Sequence, residues 1–413
     1  MQFEQDVPIV VNDGLVLRAN VFRPEAPGRY PVVMAHGSYG KDVHFSHAFK
    51  PQWDKLKRLY PGLCADGSTG AWLRWETVDP ERWVPDGYVV VQVDSRGTGK
   101  SPGYLDPFSP REIQDYFDAI EWAGVQDWSN GNVGLLGVSY YAIEQWQVAA
   151  LRPPHLAAIC PWEGASDFYR DVARHGGLCS HGFWSAWWPR QVLVNQHGNG
   201  ESTHIDAVTG ERSTGPALES IMLQGNRTDF PTEMLRHPWL DAWHRERSAD
   251  LSRIEVPILS AGNWGGVGLH PRGNFEGFLR AGSEQKWLEV HGDTHFSHFY
   301  SNYGLNLQKK FFAYFLKGEK NGWDQMPKVQ LNIRHPGEKF VQRHETEWPL
   351  ARTQWTKFFL EPGSRSLQRD APAAQTSIAY QTTGEGLTFS TPPLAAPLEI
   401  TGPVACKLFL SSA

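Results

Sequence analysis

The chain has 413 residues, 40% of them hydrophobic, which is enough to bury a large core and suggests two or three domains. Its net charge of −6 is well mixed, with no basic stripe or lysine-rich tail, so nucleic acid is not an expected partner. The acidic N-terminus lacks a hydrophobic signal core, and no run approaches the ~18 uninterrupted apolar residues of a membrane span. Four scattered cysteines (Cys64, Cys160, Cys179, Cys406) fit neither a disulfide framework nor a zinc site, so a cytoplasmic protein is expected.

In chain order, residues 9–22 alternate apolar and polar around Asn12-Asp13-Gly14, a hairpin signal. Pro31–Ala35 and Tyr88–Val93 read as buried strands, each closed by a glycine-rich loop, His36–Gly40 and Asp94–Gly103. Ile113–Trp122 has helical spacing, and Leu156–Cys160 is another strand. Between these last two, Gly131–Ser139 enters an apolar run, turns at the serine and continues into a helical stretch to Ala150. Strand, serine, helix is the nucleophile-elbow context, in which a sharp turn lifts the hydroxyl and aims the next N–H at an oxyanion. Gly137 stands two before the serine, whereas Tyr141 occupies the place two after it.

Strands alternating with helices predict a mostly parallel sheet covered on both faces. From Trp162 to Arg253 the rhythm breaks into tryptophan-rich helices and polar loops, read as a cap whose tryptophans line an apolar acyl pocket. The rhythm returns at Val256–Ser260, Lys286–Val290 and a helix over 305–316. From Val329 onward, 329–334, 355–360, 377–380 and 404–410 are strand-like, with no helical pattern. The last of these runs stops just before Ser411-Ser412-Ala413, which leaves open whether that β domain is complete.

A serine nucleophile needs a base, a partner that orients the base and an oxyanion site. In an α/β-hydrolase the order is serine, acid, histidine, with the last two on loops after late strands. The loop after Val290 offers His291, His295 and His298, among which spacing alone does not choose. Gly97-Thr-Gly99-Lys100-Ser101 lacks the first glycine of a phosphate loop, since Asp94 stands there. Asp94 and Arg96 are read as structural, and no paired histidine spacing calls for a metal.

The stretches His36–Asp42, Asp94–Gly103, Asn132–Tyr140, Gly292–His295, Phe311–Gly318 and Pro397–Pro403 together resemble the CocE/NonD group of α/β-hydrolases. That group includes X-prolyl dipeptidyl peptidases, cocaine-esterase-like enzymes and α-amino-acid ester hydrolases. The resemblance implies an α/β-hydrolase core (1–161 and 254–325), a helical cap (162–253) and a C-terminal jelly-roll (326–413). It implies Ser139 as nucleophile, His295 as base, and an oxyanion site made by the Tyr39 hydroxyl and the Tyr140 N–H.

The acid departs from the family pattern, because Gly265 stands where an aspartate is expected and no carboxylate occurs from Pro257 through Asn274. Glu276 is the first carboxylate after this stretch and is taken as the substitute, with Asp293 a poorer candidate; Asn263 as a neutral partner and a catalytically weak site stay open. Trp162, Glu163, Asp167 and Trp264 are placed at the substrate pocket, where Glu163 or Asp167 either binds a substrate ammonium or caps the next helix. The expected activity is cleavage of a small ester or amide through an acyl-enzyme, without a cofactor. The alternatives are an X-prolyl dipeptidyl peptidase and a degenerate hydrolase that binds without turnover. A homo-oligomer is compatible with the β domain.

Overall fold

A computed structural model describes residues 1–266 and 268–411; Val267 of the glycine-rich loop and the terminal Ser412-Ala413 lie outside the described residues. The chain divides into two compact units, Met1–His344 and Glu345–Ala413.

The first unit opens with β1 (Gln2–Val10), β2 (Val16–Arg23) and β3 (Tyr30–Gly37), followed by short helices α1 (Phe45–Ala48), α2 (Lys50–Leu59) and α3 (Pro80–Trp83). Strand β4 (Val89–Asp94), helix α4 (Pro110–Gly124), β5 (Ser129–Val138), α5 (Tyr140–Ala149) and β6 (Leu156–Trp162) complete its first half. The cap contains β7 (Arg174–His175), β8 (Leu178–Cys179) and four helices of seven residues or fewer, α6 (His181–Trp187), α7 (Ser220–Gly225), α8 (Phe230–Arg236) and α9 (Ala242–Glu246). The second half is β9 (Ile258–Asn263), α10 (Pro271–Arg280), β10 (Lys286–His291), α11 (Ser297–Tyr300), α12 (Asn302–Lys317), β11 (Val329–His335) and β12 (Lys339–Glu345).

Ten strands form one sheet in the order β1-β2-β4-β3-β5-β6-β9-β10-β11-β12. From β4 through β11 every pairing is parallel, while β1/β2 and β2/β4 are antiparallel. Parallel strands buried on both faces read as continuous apolar runs, and β4 and all of β9 are buried throughout. Two apolar clusters cover the two faces, one holding Val90, Leu136, Trp162 and Phe312, the other Val91, Leu135, Tyr116 and Trp146.

The strand at Val329, which the sequence assigns to the β domain, extends this sheet as the parallel neighbour of β10. In the second unit the described strands are β13 (Phe359–Glu361) and β14 (Ser366–Gln368), an antiparallel pair. The runs at 377–380 and 404–410 are not strands there, and Tyr380, Val404 and Phe409 are exposed. An apolar alternation makes a strand only where a neighbouring strand takes up its N–H and C=O groups.

The glycine loop after β4 serves an internal carboxylate. Asp94 accepts from the Lys41 and Lys100 N–H groups at 2.8 and 3.0 Å, and a Cβ on Gly99 would lie 2.1 Å from its Oδ2. Arg96 pairs with Asp115 at 2.6 Å. Among the described residues no helix is long and apolar enough to cross a membrane.

Candidate active site

Ser139 stands between β5 and α5 with φ 59° and ψ −111°, a left-handed conformation that a non-glycine residue adopts only under constraint. The constraint is visible on both sides. The Ser139 N–H donates to the Trp162 carbonyl at 3.0 Å, and the Val138 N–H to the Glu76 carbonyl at 3.0 Å. A Cβ on Gly137 would lie 2.5 Å from Tyr141 Cβ, so only glycine fits there. The missing second glycine is compensated from β3: a Cβ on Gly37 would lie 2.7 Å from the Tyr141 ring, which occupies the space Gly37 leaves. As the first residue of α5, Tyr140 has no intrahelical acceptor for its N–H.

The histidine at the serine is His270. Its Nε2 lies 2.9 Å from Ser139 Oγ. It occupies the N-cap position of α10, directly before Pro271 at the first helical residue. Two features bring α10 to the elbow. Arg272 Nη1 donates to Asp171 Oδ1 at 2.6 Å, anchoring the helix to the start of the cap. A Cβ on Gly273 would lie 2.5 Å from the Ala165 Cα, so a side chain there would push the helix away.

His295 is held elsewhere. Its Nδ1 is 2.7 Å from Glu163 Oε2 and its Nε2 is 2.9 Å from Glu76 Oε1, so both nitrogens face carboxylates. Its ring stacks on His270, with centroids 4.7 Å apart and planes at 16°. Sequence order and family position point to His295 as the serine's partner; the structure places His270 there, because two buried carboxylates outbid a hydroxyl for the His295 nitrogens. Glu163 and Glu76 themselves have φ of 52° and 62°, so three constrained residues converge on this site.

Burial works against the charge on His295, but Glu163 and Glu76 outweigh it and push its pKa up to about 10. His270 moves the other way, down to about 3, chiefly through burial and then through the neighbouring His295 charge. Burial raises Glu76 to about 6. Burial also acts to raise Glu163, yet His295 and His291 bring it down to about 2. The resting site is therefore a neutral His270 beside an imidazolium flanked by two carboxylates.

Glu163 fills the place of the absent aspartate. It follows β6, is fully buried, and its Oε1 accepts from His291 Nε2 at 3.0 Å and Asn263 Nδ2 at 3.2 Å. A Cβ on Gly265 would lie 3.1 Å from the Asp293 carbonyl oxygen, and one on Gly266 would lie 3.5 Å from Glu163 Oε2. Asn263 therefore orients Glu163 rather than a histidine. Glu276 is not brought to His295. It lies about 240° around α10 from the His270 direction, 3.8 Å from Arg272 and 3.6 Å from Arg280.

Of the four residues expected at the pocket, Glu163 reaches the site. Trp162 is fully buried and stacks on His291 at 5.1 Å. Trp264 donates its indole N–H to the Asn332 carbonyl at 2.8 Å. Asp167 caps the helical turn after it and pairs with Arg170. In the cap Trp184, Trp187 and Trp188 are buried with Phe230 in an aromatic cluster, a packed core rather than an open acyl pocket. The Tyr39 ring meets Tyr140 edge-on at 5.5 Å, at the base of this cluster.

Ligand atoms of Glu163, His270 and His295 lie within 4.8 Å of one another. A metal ion sits in the plane of every imidazole that binds it, and two stacked rings at 16° offer no common in-plane point, so this arrangement does not form a metal centre.

His270 and Glu76 escaped the sequence reading. His270 carries one local signal, the following Pro271 that marks a helix start, whereas Glu76 lies in an irregular segment with no motif around it.

A mostly parallel sheet with a strained serine at a strand-to-helix turn, and a histidine on its hydroxyl, defines an α/β-hydrolase of the serine-nucleophile type. The family model for X-Pro dipeptidyl-peptidase (S15 family) matches residues 13–297, and that for the X-Pro dipeptidyl-peptidase C-terminal non-catalytic domain matches 321–413. The chain belongs to the S15 family. It is 26% identical to the cocaine esterase of Rhodococcus sp. (strain MB1 Bresler), over 98% of this chain and 77% of that protein. It is 36% identical to a CocE/NonD family hydrolase from Staphylococcus aureus, with a TM-score of 0.73 over 89% of this chain. An α-amino acid ester hydrolase shares the fold at 16% identity, with a TM-score of 0.56, covering 91% of this chain and 64% of that one. The chain spans 60% of the length of the staphylococcal structure.

Proposed function

We propose that this protein is a serine hydrolase that cleaves a small ester through an acyl-enzyme on Ser139. The observation that carries the reading is the 2.9 Å contact between His270 Nε2 and the hydroxyl of a serine held at positive φ. Ser139 Oγ attacks the carbonyl carbon while its proton passes to His270 Nε2. The oxyanion accepts hydrogen bonds from the Tyr140 N–H and the Tyr39 hydroxyl. His270 then returns the proton to the departing alkoxide, and water attacks the acyl-enzyme by the reverse route, with Ser139 leaving protonated. No cofactor takes part.

The proton on His270 makes an imidazolium that, among the described residues, no carboxylate hydrogen-bonds. Against burial and the opposing charge of His295, the support for the new cation is the negative charge of Glu163 acting through space. It replaces the hydrogen-bonded acid of an ordinary triad. A dipeptidyl peptidase needs a carboxylate free to hold the substrate's amine. Glu163 and Glu76 are both engaged with His295, which favours a neutral ester substrate.

Labelling with a fluorophosphonate and turnover of p-nitrophenyl esters test the assignment. Labelling that is lost in Ser139→Ala and slowed by more than a hundredfold in His270→Ala supports it. A protein that labels at Ser139 without ester turnover is a ligand-binding relative instead, and labelling unchanged in His270→Ala removes His270 from the mechanism. We place the protein in the cytoplasm, a reducing compartment in keeping with its four unpaired thiols.

A further inference from the structure

Trp187, the last residue of α6 in the cap, donates its indole N–H to the Tyr39 hydroxyl oxygen at 2.8 Å. Both side chains are buried, Tyr39 at 5% exposure and Trp187 at 3%. An indole N–H is a donor only, so Tyr39 accepts here and its own proton remains to be given away. Among the described residues no acceptor takes that proton, and the hydroxyl's hydrogen bond is the one it accepts from Trp187. A phenolic O–H lies in the ring plane and has two rotameric positions. With the indole proton occupying the acceptor direction on one side, the hydroxyl proton is turned to the other. An accepted hydrogen bond also polarises the O–H and makes it a stronger donor.

We propose that Trp187 is the positioning residue of the oxyanion site: it fixes the direction in which Tyr39 donates, so that the cap supplies part of the catalytic apparatus. The proposal rests on the reading of Tyr39 as oxyanion donor. The indole is braced for this role. Trp187 stacks over Tyr140 at 6.3 Å and packs against Trp184 at 4.9 Å and Phe230 at 5.6 Å, so its N–H direction is set by cap packing on three sides. Movement of α6 away from the elbow would free the Tyr39 proton to rotate and leave the oxyanion with the Tyr140 N–H alone. The aromatic cluster of the cap then has a use beyond its own stability, since it aims one hydrogen atom.

A double-mutant cycle tests this on the acylation rate with a p-nitrophenyl ester. Tyr39→Phe is expected to slow acylation by about 10²–10³-fold, the usual loss for one oxyanion donor. Trp187→Phe keeps an aromatic ring and removes the N–H; it is expected to slow acylation by about tenfold, with KM within twofold of the parent. In the Tyr39→Phe background the second change should cost nothing further, because no phenolic proton is left to aim. Trp187→His, which retains a ring N–H, should recover part of the rate and serves where Trp187→Phe melts early. If the two losses multiply, or if Trp187→Phe acylates at the parent rate, Trp187 does not act through Tyr39. If Tyr39→Phe itself is without effect, the oxyanion assignment fails instead.

Discussion

Replacing Glu163 with glutamine removes one negative charge and keeps the shape of the side chain. In the resting protein that carboxylate accepts from His295, His291 and Asn263, at 2.7, 3.0 and 3.2 Å. In the reaction it faces the imidazolium formed on His270, whose nitrogen lies within 4.8 Å of a Glu163 oxygen. At an effective dielectric constant of about 20, a charge pair at that separation is worth about 3.5 kcal/mol. Loss of that interaction should slow acylation by about 300-fold. The same change leaves His295 and His291 short of an acceptor, so a lower melting temperature is also expected. The two effects separate by measuring the burst rate with a p-nitrophenyl ester well below the variant's melting temperature. A burst rate within tenfold of the parent would refute the through-space role of Glu163. A loss near 10⁴-fold, matched by His295→Ala and exceeding that of His270→Ala, would make His295 the base with Glu163 as its hydrogen-bonded acid.

Other consequences follow from the same geometry. The acid limb of kcat/KM should fall near pH 6, where Glu76 takes up a proton and its negative charge is lost; in Glu76→Gln that limb should vanish, and its persistence near 6.5 would mark an ordinary histidine base. His295 is protonated in the folded protein up to about pH 10, so its stabilising contribution is complete below its unfolded pKa near 6.5 and is lost as pH rises toward 10; thermal melts should show a decline over that window that is smaller in His295→Gln. Gly273→Ala should displace α10 from the backbone at Ala165 and slow Ser139 labelling more than it weakens substrate binding, and an unchanged labelling rate would show that Gly273 does not position His270. Glu276→Gln should retain parental activity, because its carboxylate faces Arg272 and Arg280; a hundredfold loss in ester turnover would contradict that placement.

What was legible in the sequence follows from local rules. The runs at Val89 and Val133 are apolar on both sides because parallel strands are buried on both faces, and their order with the helices dictates the hydrolase core. The elbow could be read because a strained turn demands Gly137 within three residues of Ser139, and that demand is written in the sequence itself. The gap at Gly265 was also plain.

What filled the gap was decided by the tertiary structure alone. Glu76, Glu163, His270 and His295 come from four separate segments, and which nitrogen faces which oxygen depends on distances that no spacing encodes. Glu163 reads equally well as a helix cap or a substrate ligand until β6 and β9 lie side by side and its N–H donates to the Ala261 carbonyl at 2.7 Å. His270 reaches Ser139 only because Gly273 lets one helix approach the backbone at Ala165. Competition between buried partners is a property of the packed interior: two carboxylates hold His295, and the neutral histidine beside it is left for the serine.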